Sequence, residues 1–234
     1  MSFVLPFVGR RKEAAQLQML LAQRKHALIL GPAGVGKTAL IQHVAGGLPL
    51  LICPQSVRLT DICGALESHL GLEAGGHRLI WRKNRLLCVL GEAGKTVVFD
   101  GVAWTTPRLC SFIKCVMERV PVWIAARSEH SWDIGHVWPL LAVVERVELH
   151  LFRPAETRAL MEVAVAAGRV PATALDATAR LHHLSAGSPQ VLCELIEGLA
   201  SGHYDLHKLP DLKLLDLDRR IQMLPIALKQ LHYT

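Results

Sequence analysis

One eight-residue stretch, residues 31–38, constrains this chain more than any other part of its sequence. It reads GPAGVGKT and matches the phosphate-binding loop pattern G-x-x-x-x-G-K-[ST]. Glycines in such a loop let the backbone wrap around a phosphate with its N–H groups pointing inward. We expect Lys37 to bring positive charge to the β- and γ-phosphates and the Thr38 hydroxyl to ligate Mg²⁺.

The segments on either side of this loop follow the order that phosphate binding requires. Residues 26–30 form a short apolar run typical of a buried strand, and residues 39–45 have the pattern of a helix. The start of that helix adds its positive dipole end to the loop. The predicted nucleotide contacts are Pro32, Ala33, Gly34, Val35, Gly36, Lys37, Thr38 and Ala39.

Apolar runs alternate with helical patterns over the first 152 residues. The predicted strands lie at residues 26–30, 48–53, 96–100, 122–127 and 147–151. This alternation predicts parallel β-α units, and therefore a three-layer α/β domain with a parallel sheet over residues 1–152. After Pro154 only helical patterns remain, which predicts a small all-helical domain over residues 153–204 and a helical tail over residues 205–234.

Composition narrows the cellular setting. Hydrophobic residues make up 51% of the 234 positions, which is enough for a full core, yet no apolar stretch approaches the length of a membrane span. The N-terminus lacks a signal-peptide pattern, and the six cysteines show no C-x-x-C spacing. We therefore expect a cytoplasmic protein with free thiols and no membrane partner.

The formal net charge of +6 is compatible with a polyanionic partner. Between residues 77 and 90 the chain carries Arg78, Arg82, Lys83 and Arg85 around Trp81, with no acidic residue. This segment is either the solvated face of a helix or a patch that contacts the phosphate backbone of DNA.

A second Mg²⁺ ligand is predicted at Asp100, which ends the strand at residues 96–100. Ligands of parallel sheets bind outside the carboxyl ends of the strands, although Asp100-Gly101 is also a turn dipeptide. Many phosphate-loop ATPases place an acid directly after this aspartate to position the attacking water, and here Gly101 stands there. Glu92 and Glu129 are the candidate substitutes. The sequence thus favours nucleotide binding with slow or partner-dependent hydrolysis.

Two arginines are further candidates for contact with the γ-phosphate. Arg127 ends the strand after the Asp100 strand and is either a sensor of hydrolysis or an exposed strand-end residue. Arg146 precedes the last predicted strand, from which it could reach a neighbouring subunit as an arginine finger.

Residues 7–13, FVGRRKE, resemble the F-V-G-R-x-x-E box of signal-transduction ATPases of the STAND class and of AAA+ origin-binding ATPases. Residues 151–156 resemble the start of the helical lid in that family, and residues 187–189 resemble its G-x-P motif. The resemblance implies that Phe7, Val8 and Gly9 lie along the adenine and ribose, that Pro189 packs on the base, and that Arg127 is the arginine after the sensor strand. It also implies a minimal ATPase core with ATP or ADP and Mg²⁺ as ligands, a homo-oligomer, and a protein effector in trans.

Three functions remain open at this point. The first is a nucleotide-dependent switch in which ATP and ADP favour states with different partner affinity. The second is a DNA-binding AAA+ regulator of transposition or replication. The third is a non-hydrolysing scaffold in which the nucleotide is structural, for which Gly101 is the supporting residue.

Overall fold

The computed structural model describes residues 6–46, 48–54, 56, 58–73, 77–202, 204 and 208–231. These residues form two compact units. The α/β unit contains residues 10–150, and the helical unit contains the described residues before and after that range. Of the predicted tail, residues 205–207 and 232–234 lie outside the described residues.

A five-stranded sheet lies at the centre of the α/β unit, and all of its strand pairs are parallel. The strand order is β2-β3-β4-β1-β5. The strands are β1 (Ala27–Leu30), β2 (Leu50–Cys53), β3 (Thr96–Val102), β4 (Val122–Ala126) and β5 (Glu145–Glu148). The helices are α1 (Arg11–Ala22), α2 (Lys37–Ala45), α3 (Leu59–His69), α4 (Leu79–Ala93), α5 (Pro107–Met117), the short α6 (Ser131–Ile134) and a 3₁₀ helix over Trp138–Val143. The predicted parallel α/β architecture is confirmed.

The inner strands β1 and β4 are apolar along their whole length because helices cover both faces of the sheet. Leu28, Phe99 and Ile124 are fully buried in one cluster with side chains from α3, α4 and α5. Side chains alternate between the two faces of a strand, so Ile29 and Trp123 point to the opposite face. Both of these are also fully buried, although within the described structure the indole Nε1 of Trp123 has no hydrogen-bond partner.

The position of the edge strand β5 corrects the sequence prediction. It occupies Glu145–Glu148 rather than residues 147–151, because it pairs with β1 from Ala27↔Glu145 to Leu30↔Glu148. Within it only Val147 is buried, as expected for an edge strand with one solvated face. This polar alternation hid the start of the strand, and Arg146 therefore lies inside β5 rather than before it.

The helical unit consists of α7 (Pro154–Ala166), a 3₁₀ helix (Ala172–Ala177), α8 (Thr178–Ser185), α9 (Pro189–Ala200) and α10 (Leu209–Leu231). Residues 172–185 are thus divided between a 3₁₀ helix and α8. Val8 packs against the apolar core of this unit, which explains why the segment before Arg10 groups with it. The backbone N–H of Phe152 donates to the carbonyl of Gly187 and joins the start of α7 to the turn after α8.

The described part of the chain includes no helix with the length and apolar character needed to cross a membrane. All six cysteines lie within the described residues, and none of them forms a disulfide. The free thiols expected from the sequence are therefore present as such.

Candidate phosphate-binding site

The predicted site residues of the α/β unit meet at the carboxyl ends of the strands. In the parallel register Leu30, the last residue of β1, lies beside Ala126, the last residue of β4. Ala126 in turn lies beside Val102 at the end of β3. The loop after β1, the acid near the end of β3 and the arginine after β4 therefore leave the sheet on the same side, which is where ligands bind in parallel sheets.

The three glycines of the loop at residues 31–38 occupy positions where a larger side chain would disturb the backbone. Gly34 and Gly36 have φ of 74° and 97°, in the left-handed region that favours glycine. A Cβ atom at Gly31 would lie 2.6 Å from the carbonyl oxygen of Leu149 and 2.9 Å from Cγ1 of Val35. Val35 is itself buried and anchors the middle of the loop. The glycines thus create a cradle in which the backbone itself lines the surface.

We expect Gly31→Ala to lower the free energy of unfolding by about 2–3 kcal/mol, because a rigid carbonyl must move to admit the new methyl group. The matched control is Gly91→Ala in α4, where an added methyl group meets no described atom within 4 Å. That substitution should raise the unfolding free energy by about 0.5–1 kcal/mol through better helix propensity. Urea unfolding followed by circular dichroism measures both changes, and equal effects at the two positions would contradict the close packing at Gly31.

Helix α2 begins at Lys37, within the loop pattern, with Gly36 as its N-cap. The first turn of α2, all of it within the described chain, carries no acidic residue. The positive end of the helix dipole is therefore not neutralised by a side chain of that turn, and it points toward the loop. This arrangement favours an anion at residues 31–38.

Lys37 folds its ammonium group back over the loop. Its Nζ donates to the carbonyl oxygen of Gly31 at 2.6 Å and to that of Pro32 at 3.0 Å. The pKa of Lys37 is lowered from its ordinary value, mainly because burial disfavours the charged form. The charge of Asp100 opposes this shift and that of Arg127 adds to it, so both groups lie within electrostatic range of the ammonium.

Thr38 and Asp100 form a direct pair. The Thr38 hydroxyl donates to Oδ2 of Asp100 at 2.7 Å, across 62 residues of sequence. Asp100 is buried, and its carbonyl oxygen accepts a hydrogen bond of 2.8 Å from the backbone N–H of Ser56. A hydroxyl and a carboxylate are the hard oxygen donors that Mg²⁺ prefers, so the residues present fit this ion.

Gly101 has a structural reason to be glycine. The register between β3 and β4 shifts between Phe99 and Val102, which marks a β-bulge, and Gly101 within it has φ of 68°. A glutamate in this left-handed conformation would be strained by about 1 kcal/mol or more. The bulge therefore accounts for the missing second acid.

Of the two candidate substitutes for a water-positioning acid, only Glu129 lies near the carboxyl end of the strands, where the loop and Asp100 also lie. Glu92 is exposed near the end of α4, which leads into the start of β3, and Asp100 lies about 13 Å further along that strand. Glu129 follows β4, but its Oε2 accepts a hydrogen bond of 2.8 Å from Nε of Arg146. The prediction of Glu92 as a water-positioning group is wrong, because Glu92 lies at the amino ends of the strands, opposite to Asp100.

The two candidate arginines have different surroundings. Arg127 is exposed directly after β4, at the same edge as the loop. Arg146 is half-exposed on β5, where its side chain pairs with Glu129 and its carbonyl oxygen accepts a hydrogen bond of 3.1 Å from Nε2 of Gln16. The role of Arg146 in a neighbouring subunit stays a prediction, and it would require that the Glu129 pair opens.

Arg10 is a supporting residue of the loop whose role the sequence patterns alone did not indicate. Its buried guanidinium donates to the carbonyl oxygen of His150 and, at 3.4 Å, to that of Val35, and it forms an ion pair of 3.5 Å with Glu13. Arg10 thus connects the phosphate-binding loop to the segment after β5. The signal was present in the FVGRRKE box, where Arg10 and Glu13 have the i, i+3 spacing of helix neighbours.

Phe7, Val8, Gly9 and Pro189 belong to the helical unit and are half-buried there. Pro189 is the first residue of α9, which Ser188 caps by accepting the backbone N–H of Val191. Their predicted contacts with adenine, ribose and base stay predictions.

The basic segment on α4 is partly neutralised by a neighbour on α3. Arg82 donates through Nε and Nη2 to the two carboxylate oxygens of Glu67 at 2.8 and 2.5 Å, and Glu67 is buried. Glu67 lies on α3, so the sequence of residues 77–90 alone does not reveal this acidic partner. Arg82 therefore has a structural partner within the α/β unit, and its contact with nucleic acid stays a prediction.

The other basic residues of this segment keep their charge at or near the surface. Arg78 is exposed at the start of α4, and Arg85 stacks its guanidinium 5.3 Å from the ring centroid of Trp81. Lys83 holds its Nζ 5.9 Å from the ring centroid of Phe112. Among the described residues no group of three or more His, Cys, Asp or Glu side chains is placed to hold a metal ion.

Comparison with known proteins places the fold. No protein-family model matches the chain, and no curated protein matches its sequence. Among solved structures, the Orc1 protein of Aeropyrum pernix, solved in complex with DNA, superposes with a TM-score of 0.67 at 16% identity, over 94% of this chain and 66% of that one. Cdc6p of Pyrobaculum aerophilum gives 0.66 at 14% identity, over 86% and 64% of the two chains.

A STAND protein of Pyrococcus horikoshii with a tetratricopeptide repeat sensor gives a TM-score of 0.54 at 18% identity, over 87% of this chain and 31% of that one. The chain therefore spans less than two thirds of the length of each of these proteins. At such identities the likeness concerns the fold. This chain has the fold of AAA+-like P-loop ATPases, as its sequence predicted.

Proposed function

We propose that this chain binds ATP or ADP with Mg²⁺ at residues 31–38 and acts as a nucleotide-dependent molecular switch. The observation that carries this proposal is the 2.7 Å pair between Thr38 and the buried Asp100, set beside a glycine cradle and a helix whose first turn carries no acidic residue. Phosphate oxygens would accept hydrogen bonds from the backbone N–H groups of residues 33–39. They would also accept from the Lys37 ammonium, which has three N–H donors and uses two of them on loop carbonyls.

Thr38 and Asp100 would hold Mg²⁺ by their oxygens. When bound, this ion neutralises charge on the phosphates and stabilises charge that develops during phosphoryl transfer. The backbone of Asp100 is held by the hydrogen bond that its own carbonyl oxygen accepts from the N–H of Ser56, and its carboxylate is held by the Thr38 hydroxyl. Arg127, exposed at the same edge, would contact the γ-phosphate and distinguish ATP from ADP.

Hydrolysis is proposed to be slow, or to depend on a partner. A positioned base or water-orienting group contributes about 10²–10⁴-fold to such reactions. Gly101 supplies none, and Glu129 is engaged with Arg146. A partner or a second copy of the chain that released Glu129 or supplied an arginine would accelerate turnover.

A switch requires that ATP and ADP differ in their affinity for two states of the protein, because a ligand with equal affinity shifts no equilibrium. We propose that the ATP state forms a homo-oligomer and has the higher affinity for a protein effector supplied in trans. The fold shared with the Pyrococcus horikoshii protein, which is named a signal transduction ATPase, supports a nucleotide-dependent role.

The test is the mass of the purified chain by light scattering with ATP and Mg²⁺, with ADP and Mg²⁺, and with neither. We expect a larger species with ATP than with ADP, and multiple-turnover ATP hydrolysis well below about 1 s⁻¹, the lower end of the usual enzyme range. Identical behaviour in ATP and ADP would rule out the switch. If both nucleotides also raised the melting temperature equally, the structural scaffold would be the better interpretation.

DNA binding is a second candidate, favoured by the net charge of +6 and by the Orc1 neighbour that was solved with DNA. Repeating the same measurement with duplex DNA at several salt concentrations separates it from the protein-effector switch. Affinity that falls steeply with salt supports a phosphate-backbone contact. An absence of binding at low salt would exclude it.

A further inference from the structure

Helix α10 carries two separate apolar faces, and among the residues that the structure describes only one of them packs into a core. Leu212 and Leu215 are buried in the core of the helical unit. Arg219 fixes the rotation of α10, because it donates to Asp216 on the same helix and to Glu194 on α9 at 3.0 Å. This packing therefore determines which residues of α10 point away from the core.

The second face of α10 is exposed. Leu214, Leu217 and Ile221 are 48%, 52% and 49% accessible, and we call these three residues the α10 seam. Their spacing of three and then four residues is that of the a and d positions of a heptad. The sequence continues the same spacing with Leu224, Leu228 and Leu231, all within the bounds of α10. An apolar stripe with two positions in every seven residues is narrower than the apolar face of a helix that packs on a globular core. A stripe of this width is typical of a helix that packs against one other helix in a coiled coil.

The charged residues that flank the seam identify the partner helix. With Leu214 at position a, the e positions are Asp211 and Asp218 and the g positions are Lys213 and Arg220. In a parallel pair of identical helices each g residue faces the e residue of the next heptad on the other helix, which places Lys213 opposite Asp218 of a second copy. An antiparallel pair would instead place e against e and g against g, and both combinations have like charges.

We propose that the α10 seam binds the same seam of a second copy of this chain, as a parallel two-stranded coiled coil that forms without nucleotide. This interface goes beyond the proposed switch and depends on none of the residues at the phosphate-binding loop. Each copy removes three large apolar side chains from water and gains Lys213–Asp218 pairs on both sides of the seam.

The test is sedimentation equilibrium of the full chain without nucleotide over a range of concentrations. We expect a monomer–dimer equilibrium whose Kd rises about tenfold or more in Leu217→Glu, because a charge then lies in the seam. The matched control is Met19→Glu on α1, which replaces a side chain of similar exposure, 50%, outside the seam and should leave the Kd unchanged. Thermal unfolding of each variant checks that the fold is intact.

Helix direction is tested by Lys213→Asp. This change should weaken a parallel dimer, since two acids then face each other, and strengthen an antiparallel one. The double variant Lys213→Asp, Asp218→Lys should restore the parallel dimer. A chain that stays monomeric up to about 100 µM, the affinity range of a weak complex, would overturn the proposal, as would a dimer indifferent to Leu217→Glu or tightened by Lys213→Asp.

Failure here and failure of the proposed switch are distinguishable. Lys37→Ala should remove the response to ATP while the nucleotide-free dimer persists. Leu217→Glu should remove the nucleotide-free dimer while ATP binding to the monomer persists. A seam that is covered instead by another protein or a further segment would give a monomer in which Leu217→Glu changes nothing.

Discussion

Lys37→Ala is expected to weaken ATP binding at least about a hundredfold. The ammonium group would make charge-assisted hydrogen bonds to the β- and γ-phosphates, and each such bond contributes about 1.5–3 kcal/mol, so the loss of two exceeds the 2.7 kcal/mol that a hundredfold change represents. No other lysine lies within residues 31–38 to replace it. Isothermal titration calorimetry with ATP and Mg²⁺ measures the change.

The control for Lys37→Ala is Lys25→Ala. Lys25 is half-exposed and pairs with Glu145 at 3.4 Å at the start of the edge strand, so its removal should change ATP affinity and stability little. The Lys37 variant also loses two hydrogen bonds to loop carbonyls. If the substitution affects binding alone, the circular dichroism spectrum and the melting temperature of the variant should match those of the natural chain. Unchanged ATP affinity in Lys37→Ala would remove the basis of every nucleotide-dependent function proposed for this chain.

The second large effect is expected at Arg82. Arg82→Ala leaves the carboxylate of Glu67, whose side chain is 3% exposed, without its bidentate partner. Loss of one partner from a buried ion pair costs about 3–5 kcal/mol, and because the Arg82 side chain is 19% exposed we expect a value near the lower end, about 3 kcal/mol. Urea unfolding measures it, with Arg78→Ala on the same helix as the exposed control, expected within about 0.5 kcal/mol of the natural chain.

The effect of Arg82→Ala should depend on pH. The hydrogen bond from Arg82 lowers the pKa of Glu67, against the opposing effect of burial. A carboxyl group whose pKa is lower in the folded than in the unfolded state stabilises the protein above its unfolded pKa, and this stabilisation is lost as the pH falls through the folded value. The difference between the natural chain and Arg82→Ala should therefore shrink below roughly pH 4. A difference that stays constant from pH 7 to pH 3 would contradict the pairing.

The Arg82–Glu67 pair also changes how DNA binding should be tested. Reversing the charge at Arg82 would place two acids together in a partly buried site, so any loss of DNA binding would reflect damage to the fold. Arg78 and Arg85 are the better positions, because Arg78 is exposed and Arg85 stacks on the surface residue Trp81 and makes no direct hydrogen bond to Glu67 among those described. Reduced affinity and a smaller salt slope in Arg78→Ala, Arg85→Ala would support a DNA contact.

Much of the fold was predictable from local sequence because each element carries its own periodic signal. The inner strands β1 and β4 are continuous apolar runs, which is what burial on both faces requires, and both were predicted within a residue or two. The edge strand β5 was misplaced because Glu145, Arg146 and Glu148 face solvent and interrupt the apolar pattern. The loop at residues 31–38 was unmistakable, since its glycines, lysine and threonine lie next to one another in the chain.

By itself, the sequence determined the phosphate-binding loop, the parallel α/β architecture with a helical unit, and the pairing candidates Thr38 and Asp100. The tertiary structure alone decided which distant side chains meet: Arg82 with Glu67, Arg146 with Glu129, and Arg10 with the carbonyls of Val35 and His150. It also showed that Gly101 lies in a β-bulge, and that Glu92 lies at the end of the strands opposite to Asp100. The physical reason is that periodicity and turn chemistry are local properties of the chain. The partners of a charged side chain depend instead on how strands are ordered and helices packed, over separations that local patterns do not encode.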